Sequence, residues 1–150
     1  YGLNLKLSDL HAALILGDVD DFFKIFNKRR KNIQFIRDSV KVLEDTAWFT
    51  EEENGNINCP HGFSITLKPK YKHKLKDFQN YLDEFSIHWK RNFGNIEKHK
   101  AFEYLKRPEE KLPISTYMGD YGFHVGVHYW LSDDDLVYLS EKLRNFLVNL

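Results

Sequence analysis

Gly2-Leu3-Asn4-Leu5-Lys6-Leu7-Ser8-Asp9-Leu10-His11-Ala12-Ala13-Leu14-Ile15-Leu16-Gly17 is the stretch around which the chain is organised. Its first half reads as a polar turn and its second half as a helix start. Ser8 suits an N-cap, Asp9 complements the positive first turn, and Leu10, Ala13, Leu14 and Gly17 fall on one apolar face. Gly17 is expected to break or kink that helix. Beyond it Phe22, Phe26, Ile33, Ile36, Val40 and Leu43 recur at spacings of three and four with charges between them. That pattern predicts a long amphipathic helix whose stripe must pack on something.

Working outward, Glu51-Glu52-Glu53-Asn54-Gly55-Asn56 reads as a polar turn and Cys59-Pro60-His61-Gly62 as a second breaker. Phe63-Ser64-Ile65-Thr66-Leu67 alternates and stops at Pro69, which is a strand signature. Leu75, Phe78, Leu82 and Phe85 place a helix over 74–85, and Ile87-His88-Trp89-Lys90 is a short strand. The segment 92–105 turns at Gly94-Asn95, continues as a short helix through Ala101 and Tyr104, and is closed by Pro108 and Pro113. Ile114 to Tyr121 forms another short helix, with Gly122 at the C-cap. Phe123, Val125, Val127 and Tyr129 alternate with His124, Gly126 and His128, a two-faced strand. Ser132 caps a terminal helix with Leu136, Leu139, Leu143, Phe146 and Leu150 on one face. Few short strands among helices imply an α+β fold, a small mainly antiparallel sheet covered by helices on one side.

With 150 residues, 42% of them hydrophobic, the chain can bury a core of its own. Lys+Arg and Asp+Glu each number 22, so no net field draws in nucleic acid or an anionic membrane, and neither is expected as a partner. The run Lys28-Arg29-Arg30-Lys31 is read as solvated surface. Cys59 is the single cysteine, which excludes a disulfide framework and a cysteine zinc set. No apolar run approaches the ~20 residues of a membrane helix and no signal-peptide pattern is present, so the expected location is cytoplasmic. His124 and His128 share one strand face. Two imidazoles without a nearby carboxylate or cysteine make no metal set, and none is expected.

A glycine, an asparagine two residues on, a basic residue two further, then Ser8-Asp9 and the Ala12-Ala13 helix resemble the block opening the C-terminal part of the DegT/DnrJ/EryC1/StrS family. Those are vitamin-B6-dependent sugar aminotransferases and their dehydratase relatives. Phe123 to Leu131 resembles a second family block, and Gly94-Asn95 with Ala101-Phe102 resembles one shared by the dehydratase branch. The resemblance implies the small C-terminal domain of a fold-type I enzyme, preceded by a long interdomain helix: 1–45 as linking helices and 46–150 as the small domain. It implies pyridoxal 5'-phosphate or pyridoxamine 5'-phosphate as cofactor, a homodimer, and a nucleotide-linked 4-keto-6-deoxy sugar as substrate. The reaction is C3 dehydration or amino transfer in deoxy- and amino-sugar biosynthesis. Asn4-Leu5-Lys6 leans towards the 3-dehydratases, because the aminotransferases usually carry Tyr-Arg there. A start at Tyr1, without an initiator methionine and inside a block the family treats as continuous, reads as a fragment lacking the large domain.

The same resemblance assigns Asn4 to the cofactor phosphate of the neighbouring subunit; read alone, Asn4 is a turn residue. Lys90 or Arg91 stands where the family commonly has an arginine for an anionic or polar part of the substrate, though the spacing to Gly94-Asn95 is about one residue short. Asn95 could present its amide to substrate, and His128 falls near the active-site mouth, where Tyr129-Trp130 replaces the common Pro-Gly. The cofactor-binding lysine, or the histidine replacing it in dehydratases, belongs upstream of Tyr1, so no catalytic residue is assigned. The competing reading is a non-catalytic helical interaction module whose stripe from Phe22 to Leu43 binds a partner.

Overall fold

The computed structural model describes residues 8–52, 55–58, 61–92, 94, 100–105 and 112–150; the side chains of 102, 103 and 105 are outside it. In chain order the elements are helix α1 (Asp9–Val40), strands β1 (Ala47–Phe49) and β2 (Gly62–Leu67), helix α2 (Leu75–Glu84), strand β3 (Trp89–Arg91), helix α3 (Pro113–Tyr121), strand β4 (Gly122–Gly126) and helix α4 (Asp133–Val148). Short 3-10 turns occupy Lys41–Leu43, Pro69–Lys74 and Lys100–Leu105.

The sheet is antiparallel throughout, in the order β1-β2-β4-β3. Alternation decides its two faces. Phe63, Ile65 and Leu67 of β2, with Phe123 and Val125 of β4, are buried beneath the helices. Val127 continues the inward series just past β4. Phe78 of α2 sits edge-on to Phe123 at 5.2 Å and stacks on Phe146 of α4 at 4.2 Å, tying both helices to one face of the sheet. Leu136, Leu139, Leu143 and Leu147 supply the buried stripe of α4, whose start is held by a reciprocal capping box between Ser132 and Asp135. From α1, Ile36 and Val40 enter the same core.

Several expectations shift. Gly17 does not interrupt α1: the helix runs unbroken from Asp9, because one exposed glycine costs only ~1 kcal/mol against alanine while Leu, Ile and Ala around it favour helix. The Ser8 hydroxyl does cap it, accepting from His11 N–H. Gly122 stands at the C-cap of α3 as expected, its N–H donating to the Met118 carbonyl, but it does so extended, at φ −100° and ψ 143°, and opens β4. The run 28–31 is not simply solvated: Lys28 pairs with Asp133 of α4 at 3.4 Å and Arg30 with Glu52 at 2.8 Å.

The stripe predicted for α1 divides in two. Its C-terminal half packs inside the core, whereas every residue from Ser8 to Lys24 except Ala12 is exposed, including Leu10, Leu14, Ile15, Leu16, Val19, Phe22 and Phe23. Among the described residues, no helix is long and apolar enough to cross a membrane.

Two outcomes follow. Phe78→Ala should cost ~3–5 kcal/mol in urea unfolding, whereas Val42→Ala, at an exposed position, should stay within ~0.5 kcal/mol. The uncovered half of α1 should also make the 150-residue chain self-associate as concentration rises. Light scattering that reports a monomer throughout would refute this.

Candidate functional site on the open face of the sheet

The other face of the sheet carries the polar side chains of β2 and β4, with Trp48 of β1 edge-on to Tyr117 of α3 at one side. Antiparallel register sets Ser64, His124 and Lys90 in one row across β2, β4 and β3. Thr50, just past β1, extends the row: its Oγ1 accepts from the Ser64 N–H at 2.8 Å, and its own N–H donates to the Ser64 carbonyl at 3.1 Å. Asn92, the residue after β3, links the row from above. Its Nδ2 donates to Ser64 Oγ at 2.8 Å, and its Oδ1 lies 3.1 Å from His124 Nδ1. A carbonyl oxygen only accepts, so Nδ1 of His124 carries the hydrogen and Nε2 of the neutral ring keeps a lone pair. The His61 ring stands edge-on to His124 at 5.3 Å.

Two glycines make this packing possible. A Cβ at Gly62 would fall 2.6 Å from His124 Cδ2; one at Gly122 would fall 2.6 Å from Asn92 Nδ2 and 2.9 Å from Thr66 Oγ1. Burial of its ring, then the positive fields of His61 and Lys90, hold His124 below its usual pKa. The neutral, Nδ1-protonated ring is the form favoured near pH 7, with Nε2 as a hydrogen-bond acceptor. Among the described residues no three His, Cys, Asp or Glu side chains gather as metal ligands.

Of the residues expected from the sequence, Lys90 lies in this row, exposed and directly opposite His124. Arg91 pairs in register with Phe123, and one guanidinium nitrogen donates to the Gly119 carbonyl at 3.3 Å, so it clasps α3. His128 lies past the end of β4, exposed, beside a groove of about 640 Å³ that it shares with Ile87, His88, Leu131 and Tyr138. Its carbonyl accepts from Asn32 Nδ2 at 2.8 Å, and its Nδ1 accepts from the Trp130 N–H at 3.3 Å. Asn4 and Asn95 lie outside the described residues. The sequence reading weighed His124 only as half of a metal pair and passed over His61, Ser64 and Asn92. The available signal was the alternation of β2 and β4, which puts Ser64 and His124 on outward positions.

The sequence pattern of the DegT/DnrJ/EryC1/StrS aminotransferase family matches residues 1–144. The chain belongs to that family. It is 28% identical, over 97% of its length, to a dTDP-4-dehydro-2,6-dideoxy-D-glucose 3-dehydratase of Saccharopolyspora spinosa, covering 32% of that protein. It is 24% identical over 97% of its length to the lipopolysaccharide biosynthesis protein RfbH of Salmonella typhimurium, covering 34% of it. The chain thus spans about a third of the length of the curated relatives it matches. DesV of S. venezuelae, solved in complex with a ketimine intermediate, superimposes with a TM-score of 0.84 over 97% of this chain and 38% of its own, at 13% identity. At that identity the likeness is one of fold, and it matches the expected small domain of a fold-type I enzyme.

The family is one of pyridoxal-phosphate enzymes, as the sequence implied. The polar row does not fit the cofactor's ring. Lys90 is exposed on an edge strand, and the charged groups that act on His124 beside it include no carboxylate to partner a pyridine nitrogen.

The depressed His124 pKa has a definite sign in stability. As pH falls, the unfolded chain binds the proton first, so the contribution of neutral His124 is full above the ordinary 6.5 and is lost through the lower folded value. Histidine NMR should place the His124 midpoint below 6.5, and Lys90→Met should move it upward. An unchanged midpoint in Lys90→Met would show that the Lys90 charge does not act on His124.

Proposed function

We propose that this chain supplies one side of the substrate cleft in a pyridoxal- or pyridoxamine-phosphate enzyme acting on a nucleotide-linked 4-keto-6-deoxy sugar. C3 dehydration is favoured over amino transfer. The observation that carries the reading is the polar row Ser64, His124 and Lys90, braced by Asn92, on the sheet face turned away from α2 and α4. A surface-facing strand has no structural need for a half-buried histidine oriented by an amide. Support for the sugar chemistry comes from the 28% identical relative named as a 3-dehydratase, and Asn4-Leu5-Lys6 leans the same way. In this reading the enzyme is a cytoplasmic homodimer, residues 1–45 link the small domain 46–150 to the large one, and Asn4 reaches the cofactor phosphate of the neighbouring subunit. Lys90, Arg91, Asn95 and His128 are the substrate-side candidates, with Lys90 and His128 the better placed.

The uncovered apolar half of α1 favours a second reading, a helical interaction module that binds a protein partner and no sugar nucleotide. The two are separated by assaying the full-length protein with a dTDP-linked 4-keto-6-deoxy sugar and pyridoxamine phosphate, with mass-spectrometric analysis of products. Loss of the C3 oxygen is the expected result. Replacement of the keto oxygen by an amino group would favour transfer, and no turnover at all would favour the module.

Asn4→Ala in the same full-length protein removes one charge-assisted hydrogen bond, so cofactor affinity should fall roughly ten- to hundredfold with little change in melting temperature. If affinity holds and melting falls instead, Asn4 is a turn residue only.

A further inference from the structure

The balanced totals of 22 cationic and 22 anionic side chains conceal a local excess. Lys68-Pro69-Lys70-Tyr71-Lys72-His73-Lys74-Leu75-Lys76 carries five lysines in nine residues and no Asp or Glu. This segment leaves β2, forms the 3-10 turn Pro69–Lys74 and enters α2, with Lys70, Lys72 and Lys76 exposed. Lys74 pairs with Asp77 at 3.3 Å, whereas Lys68, Lys70 and Lys72 lie on the rings of Trp48, Tyr71 and Tyr121. Two of those rings belong to one continuous surface. Lys68 Nζ is 5.8 Å from the Trp48 ring, Trp48 is edge-on to Tyr117 at 5.9 Å, Tyr117 tilts against Tyr121 at 4.7 Å, and Lys72 Nζ is 5.7 Å from the Tyr121 ring. Tyr117 Oη donates to the Leu67 carbonyl at 2.8 Å and so anchors α3 to β2. Beside the rings Trp48, Pro113, Ile114, Tyr117 and Met118 line an apolar cleft of about 450 Å³, with Trp48 48% exposed, Met118 46% and Ile114 76%. Strand β1, the segment 68–77 and α3 together hold two carboxylates, Asp77 and Asp120, against the five lysines.

We propose that this surface docks on an anionic lipid bilayer, with the lysines at the headgroup phosphates and Trp48, Ile114 and Met118 at the edge of the acyl chains. Three features select a lipid surface among polyanions. Ile114 and Met118 offer a nucleic acid nothing to stack on or pair with, but they gain by leaving water for the acyl boundary. Trp48, Tyr117 and Tyr121 are amphipathic rings of the kind that settle at headgroup level. Lysine stems laid along rings cover apolar surface while their ammonium heads stay in water, within reach of phosphates. The attachment is peripheral, since among the described residues no helix is long and apolar enough to cross a membrane. It uses none of the residues of the polar row and stands apart from the function proposed above.

Cosedimentation of the full-length protein with vesicles tests this, using phosphatidylcholine alone and an equimolar mixture of phosphatidylcholine and phosphatidylglycerol. Binding should be confined to the mixed vesicles and should weaken as salt rises. Lys70→Gln combined with Lys72→Gln should weaken it about twentyfold, at about fivefold for each charge. Ile114→Ser should weaken it about fivefold without altering its salt dependence. Arg144→Gln, exposed on α4, should leave it unchanged. All four positions are at the surface or highly exposed, and melting curves verify folding. No binding to the mixed vesicles overturns the proposal, as does equal binding to phosphatidylcholine alone. Vesicle binding that survives both the lysine and the Ile114 substitutions places the contact elsewhere and overturns it too. A single-stranded RNA that binds where vesicles do not, with loss in the lysine variant and none in Ile114→Ser, replaces the lipid surface by a nucleic acid.

Discussion

Strand β4 carries this structure because it is hydrogen-bonded on both sides, to β2 and to β3, and both faces of it are in use. Phe123 and Val125 point into the core, where Phe123 meets Phe78 and Trp89, and His124 between them points to the open face. A slip of one residue would exchange the two sets, placing an imidazole under the helices and phenylalanine in water. The apolar burial that stabilises the domain and the placement of His124 are therefore the same constraint. The register cannot change for one without losing the other.

Helix α1 reaches the far end of that strand through a polar contact in an apolar setting. Asn32 is fully buried, and its Nδ2 donates to the carbonyl of His128, while its Oδ1 has no partner among the described residues. A half-satisfied buried amide adds little net stability, on the order of 1 kcal/mol or less. What it does add is position, because Asn32 fixes where the chain leaves β4. The Lys28 to Asp133 pair is exposed on the acidic side and contributes little by itself. His128 thus has a firmly held backbone and an exposed side chain.

Much of the architecture was legible in local pattern. Alternation marked β2 and β4, helical spacing marked α2 and α4, and Ser132 announced the cap of the terminal helix. What escaped depends on partners distant in the chain. Ala47–Phe49 is three residues with no periodicity of its own and becomes a strand only by pairing with β2. The polar row was invisible for the same reason: Asn92 is 28 residues from Ser64 and 32 from His124, and only the order β1-β2-β4-β3 brings them together. Gly17 misled because a glycine signals a break only where the backbone has something to gain by breaking. The family resemblance pointed to Lys90 and His128, which lie in the polar row and past the end of β4, and not to His124, which no motif marked.

The glycines also sort the substitutions this domain can absorb. At Gly17 an added methyl group meets only open space, and exchange there is silent or mildly favourable to helix. At Gly62 the same methyl lands on the His124 ring, and at Gly122 it lands on Asn92, Thr66 and the Met118 carbonyl. Drift at Gly62 would therefore be felt first as a displaced imidazole in a domain whose apolar layer is untouched. Glycine at 62 therefore answers two neighbours at once, the His124 ring and the Val125 carbonyl, which an added Cβ would meet at 3.2 Å.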